Sequence, residues 1–299
     1  EFRRVLFRSG WRRRKAGMLT VGGGDGMEEL TQREKLLFER LPLVAMQLRT
    51  ALGGIYFGAR RLATPEEREN DPELDRNAAV LYRSYYQLLR LAKDLESVEL
   101  LGREEPLPRE NLDLLVWLDE IIRECQVPFE LKGVTLELLC SERYVITAVN
   151  KRWLEQAVWH LLSNALAACG KGGRVTVTLL AQRAHVLIKV TDNGRGIPPE
   201  QQDMLRSWHL RPVTPEYLTG GLGIGLPVVH QVMKLHGGQM LLDSKEGAGT
   251  TVTLALPAER TSAVLHEPTI EYHGGFQRAL VELAGALPAE AYLIKQLDQ

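Results

Sequence analysis

Apolar positions along the first third of the chain follow a helical rhythm. Leu37, Leu41, Val44, Leu48, Ala51, Ile55, Gly58 and Leu62 recur at alternating spacings of 4 and 3. That period defines the seam of one long packed helix. Pro42 lies inside it and predicts a kink or a break there. The polar stretch from Thr64 to Pro72 reads as a loop. A second seam follows at Ala78, Leu81, Tyr85, Leu88, Ala92 and Leu95. Two such helices joined by a short loop predict an antiparallel hairpin. Each seam is narrow and the pair alone buries little. The expected remedy is association of two hairpins into a four-helix dimer, the alternative being packing on the chain's own second domain.

Gly102, Pro106 and Pro108 mark a linker, after which the texture becomes mixed. Leu112–Leu115, Val134–Leu139, Tyr144–Val149, Val175–Leu180, Val186–Thr191 and Thr250–Leu256 read as strands, the pair at 175 and 186 as antiparallel neighbours. Trp117–Cys125, Trp153–Ala168 and Leu226–His236 read as helices. The last stretch, 260–299, predicts one helix near Phe276–Leu287, either a docking helix or an extra core helix. The expected organisation is a tail over 1–26, a dimerisation hairpin over 27–103, an α/β domain over 104–259 and a C-terminal extension over 260–299. The fold class is therefore α+β.

Charge changes the picture in one respect. The net charge of −1 hides an uneven split, because seven basic residues against Glu1 alone give residues 1–17 a net +6. The remaining 282 residues then carry −7. An acidic body is a poor sequence-independent nucleic-acid binder, so no nucleic acid is expected as a partner. The basic stretch, ending in the glycine-rich Val21 to Gly26, reads as a disordered or non-native tail, with Met18 and Met27 both available as starts. Three cysteines without a CxxC indicate neither a disulfide framework nor a zinc site. The longest weakly charged run, Tyr217 to Met233, contains four glycines and cannot span a membrane. With no signal peptide recognised, the expectation is a cytoplasmic protein without a membrane partner.

Three segments carry candidate chemistry. Asp192-Asn-Gly-Arg-Gly196 ends a strand, offering a carboxylate acceptor beside a backbone that a flat ligand can approach; the same residues also suit a plain hairpin turn. Gly220-Gly-Leu-Gly-Ile-Gly-Leu226 precedes a helix, and amides at such a terminus cradle phosphate. Pro227 near the first turn and Gly237-Gly238 after the last frame that helix. The helix from Leu154 to Ala168 has one apolar face, with Leu154, Val158, Leu161, Leu162 and Leu166, and carries Asn164, whose amide oxygen can hold Mg²⁺.

In this order and spacing the segments resemble the ATP-binding domain of the two-component sensor histidine kinases. That domain belongs to a group shared with DNA gyrase, a class of heat-shock chaperones and some mismatch-repair proteins. Leu154–Ala168 looks like the N box, Asp192–Gly196 the first glycine box and Gly221–Leu226 the second, with 237–257 matching the closing strand, turn and strand. The resemblance implies ATP and Mg²⁺ as cofactors. It implies that Asp192 accepts the adenine amino group, that Gly194 and Gly196 let the backbone close on the base, that Gly221, Gly223 and Gly225 wrap the phosphates, and that Asn164 binds Mg²⁺. Glu200–Thr219 falls where the family has its ATP lid, which makes Arg206, His209 and Arg211 candidates for phosphate contact.

The hairpin resembles the family's dimerisation and phosphotransfer domain, with one departure. Where the family carries His-Glu-Leu-Arg-Thr-Pro-Leu, this chain has Met46-Gln-Leu-Arg-Thr-Ala-Leu52. With Leu41 and Leu48 at heptad position a, Met46 falls at the outward position f and offers no nucleophilic nitrogen. All seven histidines lie at or beyond residue 160, so none substitutes nearby. Gln47 replaces an acidic residue and Ala167 stands where many members have lysine. His160, one turn before Asn164, is a candidate catalytic base or simply a packed helix histidine. The leading reading is an ATP-dependent kinase-type phosphotransferase, homodimeric through residues 27–103, acting on a response regulator or phosphotransfer partner rather than on its own hairpin. The alternative is a catalytically silent ATP-binding scaffold or regulator working through the helical bundle. The anti-sigma-type serine/threonine kinases share the ATP fold but lack such a hairpin.

Overall fold

The computed structural model describes residues 32–206, 223–262 and 277–297. The tail, His209, Arg211, Gly221 and Phe276 lie outside the described residues.

Helix α1 (Gln32–Leu62) and helix α3 (Pro72–Leu101) form the hairpin. Helix α1 runs through Pro42 without a break. The segment expected to be a plain loop contains a short helix, α2 (Pro65–Asn70). Its cause is a capping box: the Thr64 side chain accepts from the Glu67 amide while Glu67 reaches back to the Thr64 amide, and Pro65 stands at the first helical position. Asp71 then caps α3 by accepting from the amides of Glu73 and Leu74.

The seam expected in α1 is not the face it turns to α3. Within one chain α1 buries Ala45, Leu52, Ala59 and Ala63, and sets Tyr56 against Tyr82 and Tyr85 at centroid distances of 5.7 and 5.2 Å. Val44, Leu48, Ile55 and Leu62 stay exposed, as do Leu81 and Leu88 on α3. Small residues at 45, 59 and 63 let the helices approach closely, and a separate apolar stripe is left on the surface.

A two-stranded antiparallel sheet, β1 (Glu110–Asp113) with β3 (Ile146–Val149), begins the second domain. Its main sheet has five strands in the order β2 (Thr135–Cys140), β4 (Arg174–Ala181), β5 (His185–Asp192), β7 (Gly249–Pro257), β6 (Gln239–Lys245). The β2–β4 pair is parallel and the others are antiparallel. Val175, Val177 and Leu179 on β4 are buried and alternate with threonines, the signature of a sheet with one covered face. Helices α4 (Leu114–Leu131), α5 (Lys151–Ala168) and α7 (Gly225–Leu235) supply that cover, making a two-layer α/β sandwich. All five residues of the apolar face read on α5 are buried. The strand expected at 112–115 ends at Asp113, because the Asp113 carboxylate accepts from the Leu115 amide and starts α4. Helix α6 (Pro199–Arg206) follows the first glycine box.

The C-terminal extension forms α8 (Arg278–Glu282), a 3-10 turn (Ala289–Tyr292) and α9 (Ile294–Leu297), shorter pieces than the single helix expected. Gly285 and Pro288 account for the interruptions. Leu280, Leu283, Ala284, Leu287 and Tyr292 are buried in the main core, between the hairpin and the α/β domain.

Candidate functional site

Strand β5 ends at Asp192, which is buried, and its Oδ1 accepts from the Gly194 amide at 2.9 Å. Burial pushes its carboxyl above the usual aspartate range, while backbone donors at Gly194 and Thr250 pull it back. Asn193 is exposed and ties the turn to β4, its Oδ1 accepting from the Arg174 amide at 2.7 Å. A carboxylate has about four lone-pair sites, so two backbone donors leave acceptor capacity for a ligand amine.

The glycines of this loop meet protein first. A Cβ on Gly194 would stand 2.6 Å from the Ala168 carbonyl, and one on Gly196, at φ +65°, 2.0 Å from the Lys245 oxygen. The loop is wedged between the end of α5 and the β6–β7 turn, tied by the Arg195 amide to the Ala168 oxygen and by the Gly247 amide to the Arg195 oxygen. Gly223 differs: it has φ +70° and, among the described residues, nothing within 4 Å of a Cβ position. Helix α7 then starts at Gly225 with no side-chain cap on its first amides, because Ile224 occupies the N-cap position. Amides at a helix start without a side-chain cap suit an anionic group.

Asn164 sits on α5 with its side chain exposed, next to exposed Ala167. Its amide oxygen is thus free to share a Mg²⁺ ion, which binds through one or two protein oxygens plus phosphates and water. Arg206 is the last residue of α6. The structure thus brings Asp192, Gly194 and Gly196 to one end of the sheet, with Asn164 on α5, Gly223 just before α7 and Gly225 at its first residue.

His160 is placed elsewhere than at a mouth. It is buried, its Nε2 has no hydrogen-bond partner among the described residues, and a Cβ on Gly225 would lie 3.2 Å from its Nδ1. Burial, together with Arg90 and Lys93, pushes its pKa down to about 3, so the ring is neutral. Met46 is 60% exposed on α1. The neighbouring Thr50 hydroxyl donates to its carbonyl, and Arg49 pairs with Glu96 at 3.0 Å.

Sequence reasoning missed Arg90. Its guanidinium donates to the Ser163 hydroxyl at 2.6 Å, joining α3 directly to the residue before Asn164. The available signal was a charged trio, Arg90, Lys93 and Asp94, within an otherwise apolar helix face. Also unread were Glu282, paired with Lys93, and Arg278, which holds Glu155 at 2.9 Å.

Comparison with known proteins extends this geometry to a family. A family model described as histidine kinase-, DNA gyrase B- and HSP90-like ATPase matches residues 149–260. The adaptive-response sensory kinase SasA of Parasynechococcus marenigrum is 29% identical over 83% of this chain and 67% of its own length. The sensor histidine kinase ZraS of Escherichia coli is 32% identical over 78% of this chain and 49% of its own. Full-length ShkA, solved in complex with AMPPNP, superposes with a TM-score of 0.59 at 22% identity, over 76% of this chain and 47% of that one, which establishes the shared fold. The chain spans about a third to two thirds of the length of the curated relatives it matches first. Among the described residues no helix is long and apolar enough to cross a membrane. Residues 149–260 thus match an ATPase domain of the histidine kinase, gyrase B and HSP90 type, and over most of its length the chain is similar to sensor histidine kinases.

Proposed function

We propose that this protein binds ATP with Mg²⁺ and passes the γ-phosphoryl group to a partner protein, an aspartate-bearing response regulator or a phosphotransfer protein. Asp192 accepts the adenine amino group, Gly221, Gly223 and Gly225 with the first turn of α7 hold the phosphates, Arg206 is the candidate cation for them, and Asn164 gives Mg²⁺ an oxygen. Bound Mg²⁺ neutralises phosphate charge. The chain's own part is positioning and electrostatic support, which is most of what phosphoryl transfer requires. Its buried neutral ring gives His160 a positioning role against Gly225 in place of proton transfer.

The observations that carry the reading are the buried Asp192 carboxylate, whose loop packs at Gly194 on the end of α5, exposed Asn164 one turn earlier on that helix, and the uncapped start of α7, whose Gly225 abuts His160 of the same helix as Asn164. The acceptor is a partner because Met46 holds the outward position where the family's histidine belongs, and no histidine precedes residue 160 in this chain. That same methionine favours a second reading, a silent ATP-binding regulator. The exposed stripe of Val44, Leu48, Ile55 and Leu62, with Leu81 and Leu88, supports homodimerisation through the hairpin.

Incubation with γ-labelled ATP and Mg²⁺, alone and with a receiver-domain protein, separates the readings. Label on the partner alone supports transfer in trans, and ATP binding with no label anywhere supports the silent regulator. Asp192→Asn is expected to weaken ATP binding about tenfold or more, the loss of one hydrogen bond to a charged group. Unchanged affinity in that variant, or no ATP binding by the wild type, would sink the site assignment.

A further inference from the structure

The C-terminal extension lies outside the 149–260 family match, yet it is among the best-buried parts of the molecule. Its apolar side chains fill a cleft between α3 on one side and α4 with α5 on the other. Leu283, Ala284 and Tyr292 are fully enclosed, and the Tyr292 ring packs on Tyr86 of α3 at 5.2 Å.

Its polar groups bond to both bodies. Towards the hairpin, the Tyr292 carbonyl accepts from Arg68 at 2.8 Å and the Ile294 amide donates to Asp75 at 3.1 Å, both within a buried Arg68–Asp75 pair. Glu282, buried, pairs with Lys93. Towards the α/β domain, Arg278 pairs with Glu155 and lies 5.0 Å over the Trp159 ring. Glu282 shares its pocket with Arg90 and His160. Arg90 grips Ser163, the residue before Asn164, and His160 abuts Gly225 at the start of α7. The Glu282 carboxylate therefore joins Asp94 in offsetting buried Arg90 and part-exposed Lys93 directly behind the helix that carries Asn164. A buried cation such as Arg90 is strongly unfavourable without counter-charge.

We propose that residues 277–297 are an intramolecular strap that pins the ATPase domain on α3 in one arrangement, with Glu282 as the positioning residue behind α5. While the strap is docked, the domain cannot swing, and its nucleotide site is presented to a partner protein only after the strap lets go. The pinning stands on the contacts above; its consequence for transfer rests on the ATP reading.

The test uses the full chain without nucleotide, spin-labelled at Arg60→Cys on the hairpin and Arg183→Cys on the ATPase domain. Cys140 is replaced by serine, and excess unlabelled chain suppresses distances between copies. The parent should give one narrow distance distribution. Glu282→Lys and Lys93→Glu should each broaden it, and the double variant Lys93→Glu/Glu282→Lys, which restores an opposite pair, should narrow it again. Thermal melting checks that each variant is folded, and the restored double variant keeps the test decisive if a single one is not. A narrow distribution in both single variants, or no recovery in the double variant, overturns the strap. In the presence of labelled ATP, Glu282→Lys should also raise transfer to a receiver protein several-fold, and equal rates would overturn the gating. Absence of ATP binding in the parent and every variant would remove the ATP reading and leave the distances to decide the strap.

Discussion

Gly225 shows how a motif residue can be required for a reason its motif does not state. Its φ is not in the left-handed region, unlike that of Gly223. What a side chain there would meet is the buried His160 ring, whose Nδ1 would lie 3.2 Å from a Cβ. Gly225→Ala is therefore expected to destabilise the fold by about 1–2 kcal/mol through overpacking. In a His160→Ala background the same change should cost less, so a double-mutant cycle by urea unfolding should give a favourable coupling of about 0.5–2 kcal/mol. Strict additivity would show that the two residues do not press on each other. Asp192 and the glycines were legible in the sequence, because their type and spacing are constrained by chemistry wherever they fold. The packing partners of those glycines were not legible. Ala168 and Lys245 stand far from the first glycine box along the chain, and only the β5–β7 register and the end of α5 bring them there.

At the scale of elements, the 4-3 spacing on α1 marks a stripe that is expected to be covered and that the single chain leaves exposed at Val44, Leu48, Ile55 and Leu62. Periodicity reports that a stripe will be covered, not by what. The stripe of Leu48 and Ile55 faces away from α3, so charges placed there should leave the hairpin folded and disrupt association of two copies. Leu48→Asp/Ile55→Asp is expected to sediment as a monomer, whereas Thr50→Glu, on the other side of α1, should not change the parent's state. The α3–α5–α8 junction has a pH signature of its own. Burial raises the Asp94 pKa to about 6, against the pull of Arg90 and Lys93 and with the push of Glu282. An acid whose folded pKa is raised destabilises the fold when ionised, above about pH 6, and that penalty vanishes as pH falls towards 4. A shift of about two units corresponds to about 3 kcal/mol. Neutral His160 acts oppositely: as pH falls below 6.5 the unfolded chain takes a proton that the folded chain refuses. Asp94→Asn removes the first effect alone. It should be more stable than the parent at pH 7.5, by up to about 3 kcal/mol, and lose that advantage by pH 4, as urea titrations at the two pH values would register. An advantage independent of pH would mean that Asp94 is not ionised behind α5.

For the whole molecule, the decisive question is what separates a bound phosphoryl group from the hairpin surface. Under the proposed reading there are two obstacles: the methionine at position 46, and a domain pinned by its own C-terminal segment. They act on different steps and can be removed independently. Met46 is outward-facing, and Ile224 at the start of α7 packs with Leu41, Val98 and Leu101 of the hairpin, so the glycine loop already lies near the helix that carries residue 46. Met46→His supplies the nucleophilic nitrogen that phosphoryl transfer needs. It should produce self-labelling from γ-labelled ATP that survives base and is lost in acid, as a phosphoramidate is, where the parent shows none. If the strap limits the swing of the ATPase domain, adding Glu282→Lys to Met46→His should raise the initial rate of that labelling, and the further change Lys93→Glu should bring it back down. If Met46→His labels at the same rate in all three backgrounds, the missing nucleophile alone stands between this chain and a self-phosphorylating kinase.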